Sequence, residues 1–123
     1  MDRLLRNFEL SLTSQRSLNK HIPFDYTVED WRTALLYFNG CATCKRSRRQ
    51  SGVLEMDHWI SRLNPECPGT VPRNIIPLCK SCNSSKSDKD GATWAIKKFG
   101  KRRAREILKR IEAYFEQVRQ IEN

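Results

Sequence analysis

Cys79-Lys-Ser-Cys82-Asn83 decides the fold, because it repeats the spacing of an earlier pair, Cys41-Ala-Thr-Cys44. Each Cys-x-x-Cys pair places two thiolates on one tight turn, and two such turns supply the tetrahedral sulfur ligands that zinc prefers. Four unrelated buried cysteines would not explain two identical spacings. We therefore expect a structural Zn²⁺ held by Cys41, Cys44, Cys79 and Cys82, whose binding energy contributes to folding.

The composition indicates one small domain. The chain has 123 residues, and we expect a single domain over 1–123, with its core at about 31–90 and a basic helical extension at about 92–121. The charged start lacks the apolar segment of a secretory signal, and no apolar run approaches the ~18 residues of a membrane span. These features predict a cytoplasmic protein with no membrane partner, in which thiols stay reduced and bind metal.

The charge indicates a polyanionic partner. The formal net charge is +9, and the basic residues concentrate in the runs 45–49 and 97–110. Clustered Lys and Arg are typical of proteins that bind a phosphate backbone. A solvated helix face explains either run equally well when it is taken alone. Two runs in a chain with metal-ligand spacing favour nucleic acid.

The middle of the chain predicts a helix and two short extended segments. The helix begins at Thr27, with Asp30 three residues on as in a capping box, and ends at Asn39. Residues 53–60 predict a strand, and 74–78 form a short apolar run that leads into the second cysteine pair. Residues 1–24 fit both helical and strand periodicity, so they stay unassigned.

Helices are expected to close the chain. The segment from Asn83 onward can start a helix that ends near Gly91, and 93–99 and about 101–121 predict two more. The last helix carries an apolar stripe at Ala104, Ile107, Leu108, Ile111, Tyr114, Phe115, Val118 and Ile121. The stripe is too short to argue for a coiled-coil dimer, so we expect it to pack within the chain.

The dyad Asp57-His58 and the residue Asn83 point to chemistry between the cysteine pairs. Asp57 is a hard ligand, and the neighbouring imidazole has an unperturbed pKa near ~6.5, which suits a general base. Neighbouring side chains point to opposite faces of a regular strand, so the dyad serves one site only at a strand end or a distortion. Asn83 offers a carbonyl oxygen, and together with Asp57 it suffices for Mg²⁺ or a similar cation.

The segment from about residue 31 to 90 resembles an HNH endonuclease of the ββα-metal type. The resemblance lies in four motifs: Cys41-x-x-Cys44, Met56-Asp57-His58-Trp59-Ile60, Asn74-Ile75-Ile76-Pro77-Leu78 and Cys79-x-x-Cys82-Asn83-x-x-Lys86. The third signature residue is more often His, so Asn83 resembles the HNN variants. Where many relatives have Ile-Pro-Leu, this chain has Ile60-Ser-Arg-Leu63, which leaves the local loop shape open.

The resemblance implies a fold and a set of roles. The fold is α+β, a zinc-stapled ββα-metal core with flanking N-terminal and C-terminal helices. His58 is the general base, and Asn74 holds the loop and orients the His58 ring. Asp57 and Asn83 hold the catalytic cation, Mg²⁺ or another divalent ion. The implied function is a DNA endonuclease that hydrolyses phosphodiester bonds, with RNA a weaker fit as substrate.

Other functions and weaker residue assignments stay open. A non-catalytic zinc-knuckle module that binds nucleic acid fits the cysteines and the charge equally well, but leaves Asp57, His58 and Asn83 idle. An interaction adapter that is held together by zinc and uses the C-terminal apolar stripe is another possibility, but it does not explain the strong positive charge. Monomer and homodimer both remain open. The weaker candidates for nucleic-acid contacts are Arg48, Arg62, Arg73, Lys86, Arg102 and Arg103.

Overall fold

The computed structural model describes residues 23–122, so nearly all of the unassigned N-terminal segment lies outside the described residues. The elements in chain order are α1 (Val28–Phe38), α2 (Arg48–Ser51), β1 (Leu54–His58), a 3₁₀ turn (Pro72–Asn74), β2 (Ile75–Cys79), α3 (Lys80–Lys86), α4 (Gly91–Phe99) and α5 (Lys101–Glu122). The fold is α+β, as predicted, with helices around a two-stranded antiparallel sheet. Within this part of the chain, none of the helices combines the length and apolar character needed to cross a membrane.

Helix α1 forms where its capping residues predict it. Thr27 accepts a hydrogen bond from the Asp30 backbone N–H at 3.2 Å, and the Asp30 carboxylate accepts one from the Thr27 N–H at 2.8 Å. Asn39 ends the helix in a left-handed conformation, with φ 51°. The buried face of α1 carries Trp31 and Phe38 into the core.

The antiparallel sheet places Cys79 at one end and His58 at the other. In the antiparallel register, Leu54 pairs with Cys79 at one end and His58 pairs with Ile75 at the other. Every residue of β2 is buried. Helix α3 follows β2 directly and packs along β1. Two contacts show this packing: Asn83 contacts Glu55, and Lys86 contacts Asp57.

Helix α3 begins three residues earlier than the sequence predicts. Its N-cap is Cys79, whose sulfur accepts a hydrogen bond from the Cys82 backbone N–H at 3.4 Å. The usual N-cap residues offer an oxygen, so capping rules applied to this sequence overlook a cysteine. The helix also ends earlier, at Lys86, because Ser87 adopts φ 51°.

Helix α4 begins at Gly91, a residue that the sequence analysis placed at the end of the preceding helix. Asp90 is its N-cap and accepts a hydrogen bond from the Thr93 N–H at 3.0 Å. A Cβ atom at Gly91 would collide with the ring of Trp59. The start of α4 therefore rests directly on the residue that follows His58.

The apolar stripe of α5 packs within the chain, as predicted. Ile107, Ile111 and Tyr114 are buried, and the Tyr114 ring lies 5.0 Å from the Phe38 ring in α1. Ile121, at the far end of the stripe, is 74% exposed. The stripe therefore joins α5 to the core over most of its length, and its last turn extends beyond the core.

Arg110 fastens α5 to the end of α1. Its guanidinium donates hydrogen bonds to the carbonyl oxygens of Tyr37 and Phe38, at 3.2 and 3.0 Å, and lies over the Phe38 ring at 5.1 Å. The last carbonyls of a helix have no partner within the helix, and a cation there also interacts favourably with the helix dipole. Arg110 is thus a structural residue within a run that the charge pattern alone assigns to nucleic acid.

Replacing Arg110 with Met should lower the free energy of unfolding by about 2 kcal/mol, because the variant keeps the apolar stem but loses two charge-assisted hydrogen bonds. The matched control is Arg119→Met on the same helix, which removes an exposed ion pair with Glu116 and should cost less than about 0.5 kcal/mol. Urea unfolding measures both. Equal losses in the two variants would contradict the capping role.

Candidate functional site

The four predicted zinc ligands meet in one cluster. The sulfur atoms of Cys41, Cys44, Cys79 and Cys82 all lie within 4.8 Å of one another, and none of these cysteines forms a disulfide. Four sulfurs placed tetrahedrally around zinc at ~2.3 Å would lie about 3.8 Å apart. The Cys44 and Cys79 sulfurs already have this separation, 3.8 Å. The four cysteines are therefore positioned to bind a metal ion.

The electrostatics of the cluster also fit a dication. A hydrogen bond from the Cys82 thiol, together with one from the Thr43 hydroxyl, lowers the pKa of Cys41 well below its usual range. The same bond to Cys41 raises the pKa of Cys82, and burial raises the pKa of Cys44. One thiolate therefore opposes ionisation of its neighbours until a cation offsets the charge. Zn²⁺, which binds thiolates, fits this requirement.

A polar cleft of about 190 Å³ lies at the other end of β1. It brings together Asp57, His58 and Asn83, the three residues that the sequence predicts to share a site. His58 is the last residue of β1, so the strand-end condition for the dyad is met. The full lining is Met56, Asp57, His58, Ser61, Arg62, Asn83, Ser87 and Asp88.

Asp57 is buried against a lysine. The Lys86 ammonium lies 3.2 Å from one carboxylate oxygen, Oδ2, and 3.5 Å from the other, Oδ1. Burial raises the pKa of Asp57 to about 7, and the charge of Lys86 opposes that rise. Among the described residues, Oδ2 is a buried oxygen that accepts no hydrogen bond, since the ammonium is near it but poorly aligned. Such an oxygen fits a cation ligand.

Lys86 does not lie where the sequence analysis places it. Its side chain is fully buried, and besides Asp57 it reaches the His58 carbonyl oxygen, to which it donates a hydrogen bond of 2.9 Å. No part of its side chain is exposed to reach a phosphate. Lys86 lies one helical turn after Asn83 and faces inward, because α3 lies against β1.

The His58 ring is held by Thr70. The ring atom Nε2 lies 2.8 Å from the Thr70 hydroxyl oxygen. The backbone of Thr70 is fixed in turn, because its N–H donates to Pro23 and its carbonyl accepts from the Asp25 N–H, both at 2.9 Å. Burial lowers the pKa of His58 to about 4, with the charges of Arg62 and Lys86 acting in the same direction. The imidazole is therefore neutral at neutral pH.

Asn74 holds the loop after β1. Its side-chain oxygen accepts from the Ile60 N–H at 2.8 Å, and its side-chain nitrogen donates to the carbonyls of Ile60 and Gly69, each at 3.1 Å. Its backbone carbonyl accepts from the Trp59 N–H at 2.9 Å. The group in contact with the His58 ring is Thr70, so any effect of Asn74 on that ring passes through the loop.

Asn83 has a partner that the sequence analysis missed. Its side-chain nitrogen donates to a carboxylate oxygen of Glu55 at 2.8 Å. Glu55 precedes Asp57 by two residues, so strand periodicity alone would have placed both on one face. Asp88, also missed, is exposed at the rim of the cleft. No sequence signal indicated Thr70, because its contact with His58 depends on how the loop folds.

The model of the HNH endonuclease family matches residues 41–89. Residues 41–89 are therefore similar to an HNH endonuclease domain. No curated protein and no solved structure matches the chain. The HNH segment runs from Cys41, the first cysteine of the four-sulfur cluster, to the residues just after α3, whereas α1, α4 and α5 lie outside it.

The weaker arginine candidates lie in different surroundings within and around the HNH segment. Arg48, Arg102 and Arg103 are exposed. Arg62 is half-buried and lines the cleft, and Arg73 is half-buried in the 3₁₀ turn before β2. Of these five, Arg62 alone lies in the same cleft as Asp57 and His58.

Purified protein should contain about one Zn²⁺ per chain, and Cys82→Ser should lose that metal and unfold at lower urea, because three thiolates leave the tetrahedral set incomplete. Cys67→Ser is the matched control, since Cys67 lies outside the cluster and its thiol donates to the Ile60 carbonyl, a bond that a hydroxyl can replace. Elemental analysis measures the metal. Full zinc content in Cys82→Ser would contradict the site.

Lys86→Met should lower the free energy of unfolding of the zinc-loaded protein by about 3 kcal/mol, because it leaves the Asp57 charge buried without its partner. Lys89→Met, at an exposed position three residues on, is the control and should change stability by less than about 0.5 kcal/mol. In Asp57→Asn/Lys86→Met the loss should shrink, since no unpaired charge remains. A double variant as unstable as the single one would contradict the ion pair.

Proposed function

We propose that this protein is a metal-dependent DNA endonuclease that hydrolyses phosphodiester bonds. One observation carries the proposal: a single cleft in the HNH segment gathers a buried carboxylate, a neutral imidazole and an amide. A closed four-sulfur site has no open position for a substrate, so zinc at the cysteines is structural. Asp57 and Asn83 supply oxygen ligands for Mg²⁺ or another divalent ion.

His58 acts as the general base in this proposal. Thr70 lies against Nε2, so when the threonine oxygen accepts a hydrogen bond from Nε2–H, Nδ1 keeps the lone pair that can take a proton from water. The hydroxide formed attacks phosphorus, the bond from phosphorus to the 3′ oxygen breaks, and the departing oxygen takes up a proton from water. A divalent cation bound beside this base would supply Lewis-acid stabilisation of the negative charge on the phosphate. The Lys86 bond to the His58 carbonyl holds the base in place from the backbone side.

Nucleic acid is the substrate class that the charge supports. The chain has a net charge of +9, and a basic surface draws a polyanion toward the cleft. In this proposal Arg62, which lines the cleft, contacts a phosphate near the bond to be cut, and Arg48, Arg102 and Arg103 contact the backbone farther along. DNA is proposed over RNA from the family resemblance.

A non-catalytic module that binds nucleic acid is the second candidate, and one contact favours it. Lys86 already neutralises Asp57, so the carboxylate has a cationic partner without any metal. Under this alternative, the cleft residues stabilise the fold, and the basic surface alone performs the function.

Incubation of supercoiled plasmid with the zinc-loaded protein and Mg²⁺ or Mn²⁺ separates the two candidates. We expect the wild type to nick or linearise the plasmid and His58→Ala to lose about 10²–10⁴-fold of that rate, the usual range for a general base. Lys80→Ala, an exposed change in the same helix as Asn83, should cleave as the wild type does.

Zinc content and DNA affinity should be unchanged in His58→Ala, so that lost cleavage reports chemistry rather than folding. A parallel reaction with single-stranded RNA tests the substrate class. A wild type that binds DNA but cuts neither nucleic acid with either cation would favour the binding module instead.

A further inference from the structure

Glu55 lies in contact with a proposed cation ligand but outside the lining of the cleft. It is half-buried in β1, and its carboxylate oxygen accepts the hydrogen bond of 2.8 Å from the Asn83 side-chain nitrogen. The contact joins the second residue of β1 to the middle of α3. The neighbouring contact, between Asp57 and Lys86, lies two residues on in the strand and three residues on in the helix.

We propose that Glu55 is a positioning residue for the cation site, because it fixes which end of the Asn83 amide faces the cleft. This inference rests on the proposed cation ligands, Asp57 and Asn83. A carboxylate only accepts hydrogen bonds, so the Asn83 atom against Glu55 is the nitrogen. The oxygen lies on the other side of the planar amide and is the atom presented to a cation.

The alternative orientation would oppose cation binding. The terminal torsion of an asparagine is broad and roughly two-fold, so without a partner the amide turns readily. A turned amide presents its N–H₂ group, whose partial positive charge repels a metal ion. Groups that orient metal ligands in this way typically contribute about 10- to 100-fold to metal affinity, so Glu55→Ala should weaken Mn²⁺ binding by at least about 10-fold.

Exchanging the polar groups provides a sharper test than truncation. In Asn83→Asp, two carboxylates face each other across the hydrogen-bonding distance, so the new Asp side chain is repelled from its position. In Glu55→Gln/Asn83→Asp, the glutamine can donate to the new carboxylate and restore the contact. We therefore expect Glu55→Gln to strengthen Mn²⁺ binding by at least about 10-fold in the Asn83→Asp background, although it removes a negative charge.

The sign of that effect separates positioning from two other roles. If Glu55 were itself a ligand, or if it acted only through its charge, Glu55→Gln would weaken Mn²⁺ binding in the Asn83→Asp background. Glu66→Gln/Asn83→Asp is the matched control, since Glu66 is exposed in the loop after β1. That pair should bind Mn²⁺ no more tightly than Asn83→Asp alone.

Mn²⁺ affinity is measured on the zinc-loaded variants by titration calorimetry or by electron paramagnetic resonance of free Mn²⁺, with plasmid cleavage recorded beside it. The expected order of affinities without any cleavage would support the positioning role and reject the proposed nuclease activity. Cleavage by the wild type, with no gain from Glu55→Gln in the Asn83→Asp background, would overturn the positioning role and keep the activity. Absence of Mn²⁺ binding to the wild type would also overturn it.

Discussion

The hydrogen bond from the Cys82 backbone to the Cys79 sulfur turns the chain from β2 into α3, and the remaining site geometry depends on that turn. Cys79 is at once the end of a strand, the cap of a helix and a member of the four-sulfur cluster. A metal bound there would restrain strand and helix together. Since Asn83 and Lys86 lie on that helix, their distances to β1 are set by the same restraint.

The cleft combines burial with charges that partly offset one another. Burial disfavours the ionised form of Asp57 and the protonated form of His58, and the single lysine between them acts on both groups. It favours the carboxylate and disfavours the imidazolium. In the proposed mechanism, an ionised Asp57 and a neutral His58 are the states that metal-assisted hydrolysis requires. One fully buried cation thus supports two different protonation states in adjacent residues of the strand.

Sequence reasoning found the parts of this molecule that depend on local chemistry. The cysteine spacing, the Thr27 and Asp30 caps, and the grouping of Asp57, His58 and Asn83 all follow from residue type and position. The long-range contacts could not be predicted from the sequence. Glu55, Thr70 and Arg110 take their roles from partners that only the folded chain brings near, 28, 12 and 72 or more residues away. Lys86 shows the same limit, since its burial follows from the packing of α3 against β1, which the sequence does not reveal.

The close approach of Gly91 to the Trp59 ring bears on how much of the chain must fold together. The family segment stops at residue 89, yet the residue after the proposed base is covered by a helix that starts at 91. Helices α1 and α5 supply much of the remaining core and are fastened to each other. Residues 41–89 therefore depend on helices outside the matched segment. Transferred alone to another protein, they would leave Trp59 and β2 without the side chains that pack against them.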